Sequence, residues 1–221
     1  MERLIALDVE TTGLEISEGQ RIIEVGAVEI LDRKISNTEF QRYIQPNRKV
    51  GESVNIHGIT DKFLINKPQF NQISDDLLSF IKGATLVIHN APFDLGFLNN
   101  ELKIIGIKKT IEDTCNIIDT LELSRLQRPG TMHNLDALCR RFGIDTSART
   151  IHGALLDAQI LAQVYLAMTG GQSNLFQEAS KTESNHSDPS LIKRVKESRN
   201  NIKVIFAKKS ELEAHKNYFH N

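Results

Sequence analysis

Hydrophobic and polar positions follow two different periods along this chain, and the change of period organises it. Leu4-Ile5-Ala6-Leu7 opens an apolar run that passes into Asp8-Val9-Glu10 and then Thr11-Thr12-Gly13. This is the pattern of a buried strand running into a tight turn. Ile22 to Ile30 is rich in β-branched residues and follows a polar loop, which predicts an antiparallel partner for the first strand. Phe40 to Ile44 alternates and is closed by Pro46, giving a third strand. Helix and strand then alternate. Ser74 is placed to cap a helix whose Leu77, Leu78 and Ile81 face inward, Gly83 ends it, and Ala84 to His89 is the short apolar run of a parallel-type strand. A strand near 110–118, helices over 119–127 and 134–142, and a last helix over 154–168 complete the series. In the last two, Leu135, Leu138, Cys139 and Phe142 form one stripe, and Ala154, Ala158, Leu161, Tyr165 and Met168 another. A meander followed by βα units predicts an α/β domain with a mixed sheet of about five strands flanked by helices.

Composition adds a boundary. From Gly171 to Ser190 the chain is polar with little to bury, the signature of a flexible linker. From Leu191 apolar residues return, among eight Lys or Arg against three acids. The expected organisation is a domain over 1–170, a linker over 171–190 and a C-terminal segment over 191–221 that is too short for a core of its own. The net charge of -1 therefore conceals a mildly acidic domain and a basic tail. A domain of that sign is not a general nucleic-acid binder, so any such contact is local and metal-assisted. Cys115 and Cys139 lack C-x-x-C spacing and read as buried thiols in a reducing compartment. No apolar run reaches membrane-spanning length and the first residues lead straight into a strand, so the expected location is the cytoplasm.

The chemistry lies in the acids. Asp8 and Glu10, two apart on a strand, point to one face, where each raises the other's pKa unless a cation compensates them. Solvated turn carboxylates would look the same, and the rest of the chain separates the readings. His89-Asn90-Ala91-Pro92-Phe93-Asp94 ends a strand and opens a helix, and a carboxylate there is also favoured simply by the helix dipole. His152 and Asp157 stand roughly 140° apart on a regular helix, so the histidine belongs on the loop before Gly153 and the aspartate in the second turn of the helix. Together these are four carboxylates at element termini with one histidine. Hard oxygen ligands without thiolates select Mg²⁺ or Mn²⁺ over zinc. Four acids can hold two such ions about 4 Å apart, the clamp of an in-line phosphoryl displacement, and His152 has the intrinsic pKa of a general base.

The chain resembles the DEDDh branch of the DnaQ-type 3'→5' exonucleases along almost its whole length. Three motifs match in order: Asp8-Val-Glu10-Thr-Thr-Gly, His89-Asn-Ala-Pro-Phe-Asp94 and His152-Gly-Ala-Leu-Leu-Asp157. Histidine five residues before the last aspartate marks the h subclass. The resemblance implies a ribonuclease H-like fold in which Asp8, Glu10 and Asp157 hold a first metal ion, and Asp8, with Asp94 through water, serves a second. It also implies that His152 deprotonates the attacking water, releasing a nucleoside 5'-monophosphate. Thr12 and Leu14, and the segment Asn55-Ile56-His57-Gly58-Ile59-Thr60, resemble the family's contacts to the terminal nucleotide of a single-stranded or frayed DNA 3' end. A small hydroxyl could hold that end while apolar side chains wedge against its base. His57 reads equally as a turn residue before Gly58. His133 to Cys139 also resembles a family segment and reads by itself as a capped structural helix.

In the tail, Gln172-Ser173-Asn174-Leu175-Phe176 resembles the pentapeptide by which bacterial replication proteins bind the sliding clamp, with Gln172 on polar groups and Leu175 and Phe176 in an apolar pocket. The resemblance implies that 191–221 binds the catalytic (alpha) subunit of a bacterial replicative polymerase, with a small theta-like accessory subunit as a further partner. Tethering at two points raises the local concentration of the exonuclease at the primer end. The expected function is removal of mispaired nucleotides at the replisome. Rival readings are an RNA-trimming exonuclease with the same motifs and a non-catalytic scaffold between polymerase and clamp. Against the scaffold stand the intact acids, because clustered carboxylates that bind nothing cost stability.

Overall fold

The computed structural model describes residues 3–147 and 152–170. Contacts divide the chain into two units, Met1–Phe176 and Gln177–Asn221, and every described residue belongs to the first. The expected divisions at 171 and 191, and with them Gln172, Leu175 and Phe176, lie outside the described residues.

Five strands form one mixed sheet in the order β3-β2-β1-β4-β5. β1 (Arg3–Thr11) lies antiparallel to β2 (Ile22–Leu31) and parallel to β4 (Thr85–Ile88), β2 pairs antiparallel with β3 (Lys34–Tyr43), and β4 pairs parallel with β5 (Asn116–Asp119). Among the described residues, seven helices accompany it: α1 (Val54–His57), α2 (Asp61–Leu64), α3 (Phe70–Ile81), α4 (Ala91–Ile104), α5 (Thr120–Gln127), α6 (Leu135–Phe142) and α7 (Ala154–Thr169). No described helix is long and apolar enough to cross a membrane.

The sheet is covered on both faces. Ile5, Leu7 and Val9 of β1 join a core with Phe70, Leu77 and Ile81 of α3 and Leu95 and Leu98 of α4. Leu4 and Ala6 point the other way, to Leu161, Ala162 and Tyr165 of α7. α7 is itself covered from behind, where Ile160, Val164 and Met168 pack on Leu138 and Cys139 of α6. A helix apolar on most of its circumference is the consequence of that position between sheet and helix. Each fully buried side chain such as Leu161 or Val164 contributes about 1.5–3 kcal/mol.

Three boundaries differ from the sequence reading. β3 begins at Lys34 and not near Phe40, because Asp32 and Arg33 both take positive φ, 46° and 62°, and close a two-residue hairpin directly onto β2. Its polar run Ser36-Asn37-Thr38-Glu39 suits the open edge of the sheet that it occupies. α3 starts at Phe70, capped by Gln69 in a reciprocal capping box with Gln72, while Ser74 sits inside it and donates to the Asn71 carbonyl at 3.3 Å. β5 covers only Asn116–Asp119, since 110–115 turns back on itself, with the Thr110 N–H held by Asp113 at 2.7 Å and the Cys115 N–H by the Ile111 carbonyl at 3.0 Å.

Candidate active site

Alternation along β1 places the first two acids. Leu4 and Ala6 face α7, and Asp8 and Glu10 continue that row to the carboxyl end of the strand. Opposite Asp8 in the β1–β2 ladder is Gly26, and a Cβ there would overlap the Ala154 carbonyl carbon and the Leu155 nitrogen. The missing side chain lets the first turn of α7 rest on the sheet beside Asp8. Buried Glu24 completes the seat: its Oε2 accepts from the Ala154 N–H at 3.2 Å and its Oε1 from Gln41 Nε2 at 2.7 Å, a carboxylate on the N-terminal end of the helix.

That seat delivers Asp157 and His152. His152 lies on the loop before α7, its N–H donating to the Ile56 carbonyl at 3.3 Å, and its Nδ1 is 3.0 Å from Asp157 Oδ2. Ligand atoms of Glu10, His152 and Asp157 all lie within 4.8 Å of one another. The spacing that separates the two residues on a regular helix is resolved with the histidine outside it, as the sequence predicts, while the aspartate falls in the first turn and not the second, because the helix starts as close to it as Ala154.

Asp94 arrives from the other side of β1. At the end of β4 the chain passes through Asn90 at φ 67° and enters α4. Asp119 braces this junction: its carboxylate accepts from the Asn90 and Ala91 N–H groups, each at 3.1 Å, and from the Leu121 N–H at 2.8 Å as the cap of α5. His89 adds a second brace, its Nδ1 2.9 Å from Thr120 Oγ1, and burial lowers its pKa so that the ring is neutral. One turn into α4, Asp94 Oδ1 accepts at 3.1 Å from the N–H of Val9, the residue between Asp8 and Glu10. Burial pushes its carboxyl up to about 8; the Asp119 charge adds to the rise, while the Val9 N–H and its own backbone pull against it. Only a nearby cation would make so buried a carboxylate comfortable as an anion.

Beside the acids opens a cavity of about 760 Å³, lined among others by Glu10, Thr12, Leu14, Arg48, Ile56, His57 and Phe93. Leu14 is 75% and Ile56 56% exposed. Of the residues expected to meet a terminal nucleotide, Leu14 and His57 line this space. Thr12 lines it too, but its hydroxyl is already engaged, donating to Gln20 Oε1 at 2.7 Å and accepting from the Arg21 N–H at 3.0 Å. That hydroxyl orders the turn after β1, so a direct hold on the 3' end does not follow from its placement. His57 is buried, and its Nδ1 accepts from the Ile59 N–H at 3.0 Å. Burial lowers its pKa, the Thr11 backbone draws it up, and the neighbouring His152 lowers it further. The ring is neutral near pH 7 and adds no competing charge beside His152. Asn134 caps α6 by accepting from the Ala137 N–H at 2.8 Å, as the structural reading of that segment predicts.

Sequence reasoning missed Glu24, Gly26, Asp119 and Arg48. The first two carry a visible signal, a carboxylate and a glycine inside an otherwise apolar strand. Asp119 followed by Thr120 has the form of a helix cap and hides its second task at α4. Arg48 lines the cavity with its Nε buried and without a hydrogen-bond partner, which nothing local in the sequence announces.

Comparison with known proteins adds kinship to this geometry. Residues 5–165 match a family model described as an exonuclease. The chain is 45% identical over 224 residues to DNA polymerase III subunit epsilon of Haemophilus influenzae, covering 96% of this chain and 88% of that protein. It is also 45% identical over 222 residues to the epsilon subunit of Escherichia coli, covering 96% and 90%. Among solved structures, exonuclease X in complex with 5' overhanging duplex DNA superposes with a TM-score of 0.58 at 25% identity, over 79% of this chain and 96% of that one. The nuclease domain of 3'hExo, a DEDDh family member bound to rAMP, gives 0.67 at 19% identity over 76% and 92%, a likeness of fold.

Proposed function

The chain belongs to the DEDDh exonucleases, among the DNA polymerase III epsilon subunits, and on that premise we propose how its own residues carry out 3'→5' proofreading. Its five-stranded sheet is the ribonuclease H-like fold of that family, and it is a metal-dependent nuclease acting on DNA as part of a replicative polymerase.

The proposal at the acids is that Asp8, Glu10, Asp94 and Asp157 hold two divalent ions, Mg²⁺ or Mn²⁺. The donor set fits: oxygen ligands without a thiolate, the converging atoms of Glu10, His152 and Asp157, and a buried Asp94 carboxyl that is a poor anion until a cation compensates it. Such ions, when bound, neutralise phosphate charge and make water more acidic.

The chain's own residues supply the rest. Gly26 and Glu24 seat α7, and the Val9 N–H fixes Asp94, so each acid is positioned by backbone before substrate arrives. His152 accepts the proton of the attacking water. A proton on Nδ1, directed at Asp157, sets the tautomer in which Nε2 is the basic nitrogen. Neutral His57 places no positive charge beside that base. Leu14, Ile56 and Phe93 give the terminal base apolar surface that is indifferent to its identity, suited to a strand end that fails to pair. The observation that carries this reading is the Asp94–Val9 bond, which joins the second motif to the first at the peptide between its two acids.

The tail extends the proposal to partners. Gln172, Leu175 and Phe176 bind the sliding clamp, 191–221 binds the polymerase catalytic subunit, and a theta-like subunit completes the assembly at the bacterial replisome. The support is the sequence pattern and the relatives named epsilon. A Phe176→Ala variant of the full chain should lose clamp retention in gel filtration and keep polymerase binding.

The catalytic reading is tested with 5'-labelled single-stranded DNA and RNA oligomers, in Mg²⁺ or EDTA, for the wild type and Asp8→Ala. Stepwise 3' shortening of DNA that needs both metal and Asp8 is expected, and slower shortening of RNA. No shortening of either polymer would sink it.

A further inference from the structure

The segment that joins α5 to α6 stands apart from the acidic domain that carries it. Residues 125–141 contain four arginines, Arg125, Arg128, Arg140 and Arg141, against one acid, Asp136. Residues 125–132 are all exposed, among them Leu126 at 76% and Met132 at 64%. Exposed cations interleaved with exposed apolar side chains suit a ligand that carries both phosphate and stacked rings.

The segment is ordered, and it is attached to the active site. Arg141 Nη2 donates to Thr131 Oγ1 at 2.8 Å and to the Met132 carbonyl at 2.7 Å, which fixes the turn. His133 Nδ1 lies 2.8 Å from Ser124 Oγ, and the His133 backbone is a hydrogen-bond partner of His89, the residue that opens the second motif. The charges of Arg125 and Arg141 both act on the His133 ring. Among the described residues, neither Arg125 nor Arg128 makes an ion pair.

Building on the exonuclease reading, we propose that Arg125, Arg128 and Met132 form a contact surface for the nucleic-acid strand whose 3' end is cut, holding phosphates and a base upstream of the terminal nucleotide. Two arguments favour a nucleic acid over a protein partner. The surface is continuous, through His133 and His89, with the strand end that leads into α4, the helix that carries Asp94. It is also a local positive patch on a domain that otherwise repels a polyanion, so an approaching strand is drawn to this side of the site.

The test compares two substrates of the full chain. A single-stranded DNA oligomer reaches the patch; the p-nitrophenyl ester of thymidine 5'-monophosphate, with one phosphate, does not. For the Arg125→Gln, Arg128→Gln double variant the oligomer KM should rise about tenfold, the product of two exposed ion pairs, with kcat held. The slope of log kcat/KM against log salt should weaken by about 1.4. Kinetics on the ester should match the wild type. An unchanged oligomer KM and salt slope overturn the inference. A wild type that cleaves neither substrate overturns the exonuclease reading and this inference with it. If the double variant also loses the ester reaction, the charge-retaining pair Arg125→Lys, Arg128→Lys decides: an oligomer KM near the wild type's supports the surface, and a KM raised as far as in the glutamine pair overturns it.

Discussion

Replacing Asp94 by asparagine separates what this carboxyl costs the fold from what it does. Asp94 is 3% exposed, and its pKa is raised from 3.8 to about 8. Between those values the unfolded chain has released the proton that the folded chain still holds. The cost to folding is therefore absent below about pH 4, grows as pH rises, and is complete above about pH 8. At about 1.4 kcal/mol per pH unit, that gap bounds the cost at roughly 6 kcal/mol. An asparagine accepts the same hydrogen bond from the Val9 N–H and never ionises. Urea unfolding of both proteins in EDTA at pH 4.5 and 8.5 reads the difference, because all other titrating groups are shared. The variant should be the more stable by about 3–6 kcal/mol at pH 8.5 and by only about 1 kcal/mol at pH 4.5. Adding Mg²⁺ at pH 8.5 should stabilise the wild type more than the variant, because the cation favours the carboxylate. Parallel pH profiles, or a less stable variant at pH 8.5 without metal, would refute the account of Asp94 as a buried acid awaiting a cation.

Gly26→Ala places a methyl against the backbone of α7 at Ala154 and Leu155; it should cost about 1–3 kcal/mol in urea unfolding and lower kcat by moving Asp157 and His152. A variant with unchanged kcat would show that α7 need not touch the sheet there. His152→Ala should lower kcat about 10²–10⁴-fold. The ring is 46% exposed, so the melting midpoint should hardly move, and a large drop would mean a structural role instead. Arg21 and Glu101 form a pair at 2.6 Å in which Glu101 is almost wholly buried and Arg21 is held above its ordinary pKa by that carboxylate. Arg21→Met strands the buried acid and should cost about 3–5 kcal/mol, read by urea titration.

The acids on β1 were legible because a period of two leaves no choice: once Leu4 and Ala6 face α7, so do Asp8 and Glu10. α6 was legible from an apolar stripe behind its cap at Asn134, and α7 from a long apolar run ended at Gly170. What escaped depends on partners distant in sequence. β3 was cut short because Asp32-Arg33 lacks the Asn-Gly form of a tight hairpin yet adopts its backbone. Ser74 looks like a cap, but the apolar stripe of α3 begins a turn earlier, at Phe70. The Thr12 hydroxyl looked available to substrate because its partners, Gln20 and Arg21, return only after the 3-10 turn at Ile16–Glu18.

The same distinction explains why three short motifs suffice to mark the site and yet do not build it. The motif residues beyond β1 sit where a backbone group elsewhere in the chain holds them: Asp94 through the Val9 N–H, Asp157 through the contact of α7 with Gly26, and His152 through the Ile56 carbonyl. Asp119 and Glu24 spend their charge on helix N-termini, those of α4, α5 and α7. A motif residue can therefore be substituted with the fold intact, whereas substitution of a supporting residue disturbs fold and chemistry together. Asp94 is the exception that binds the two, since the bond that positions it is made by the peptide of the first motif, and its charge is tolerable only in the company the site is built to receive.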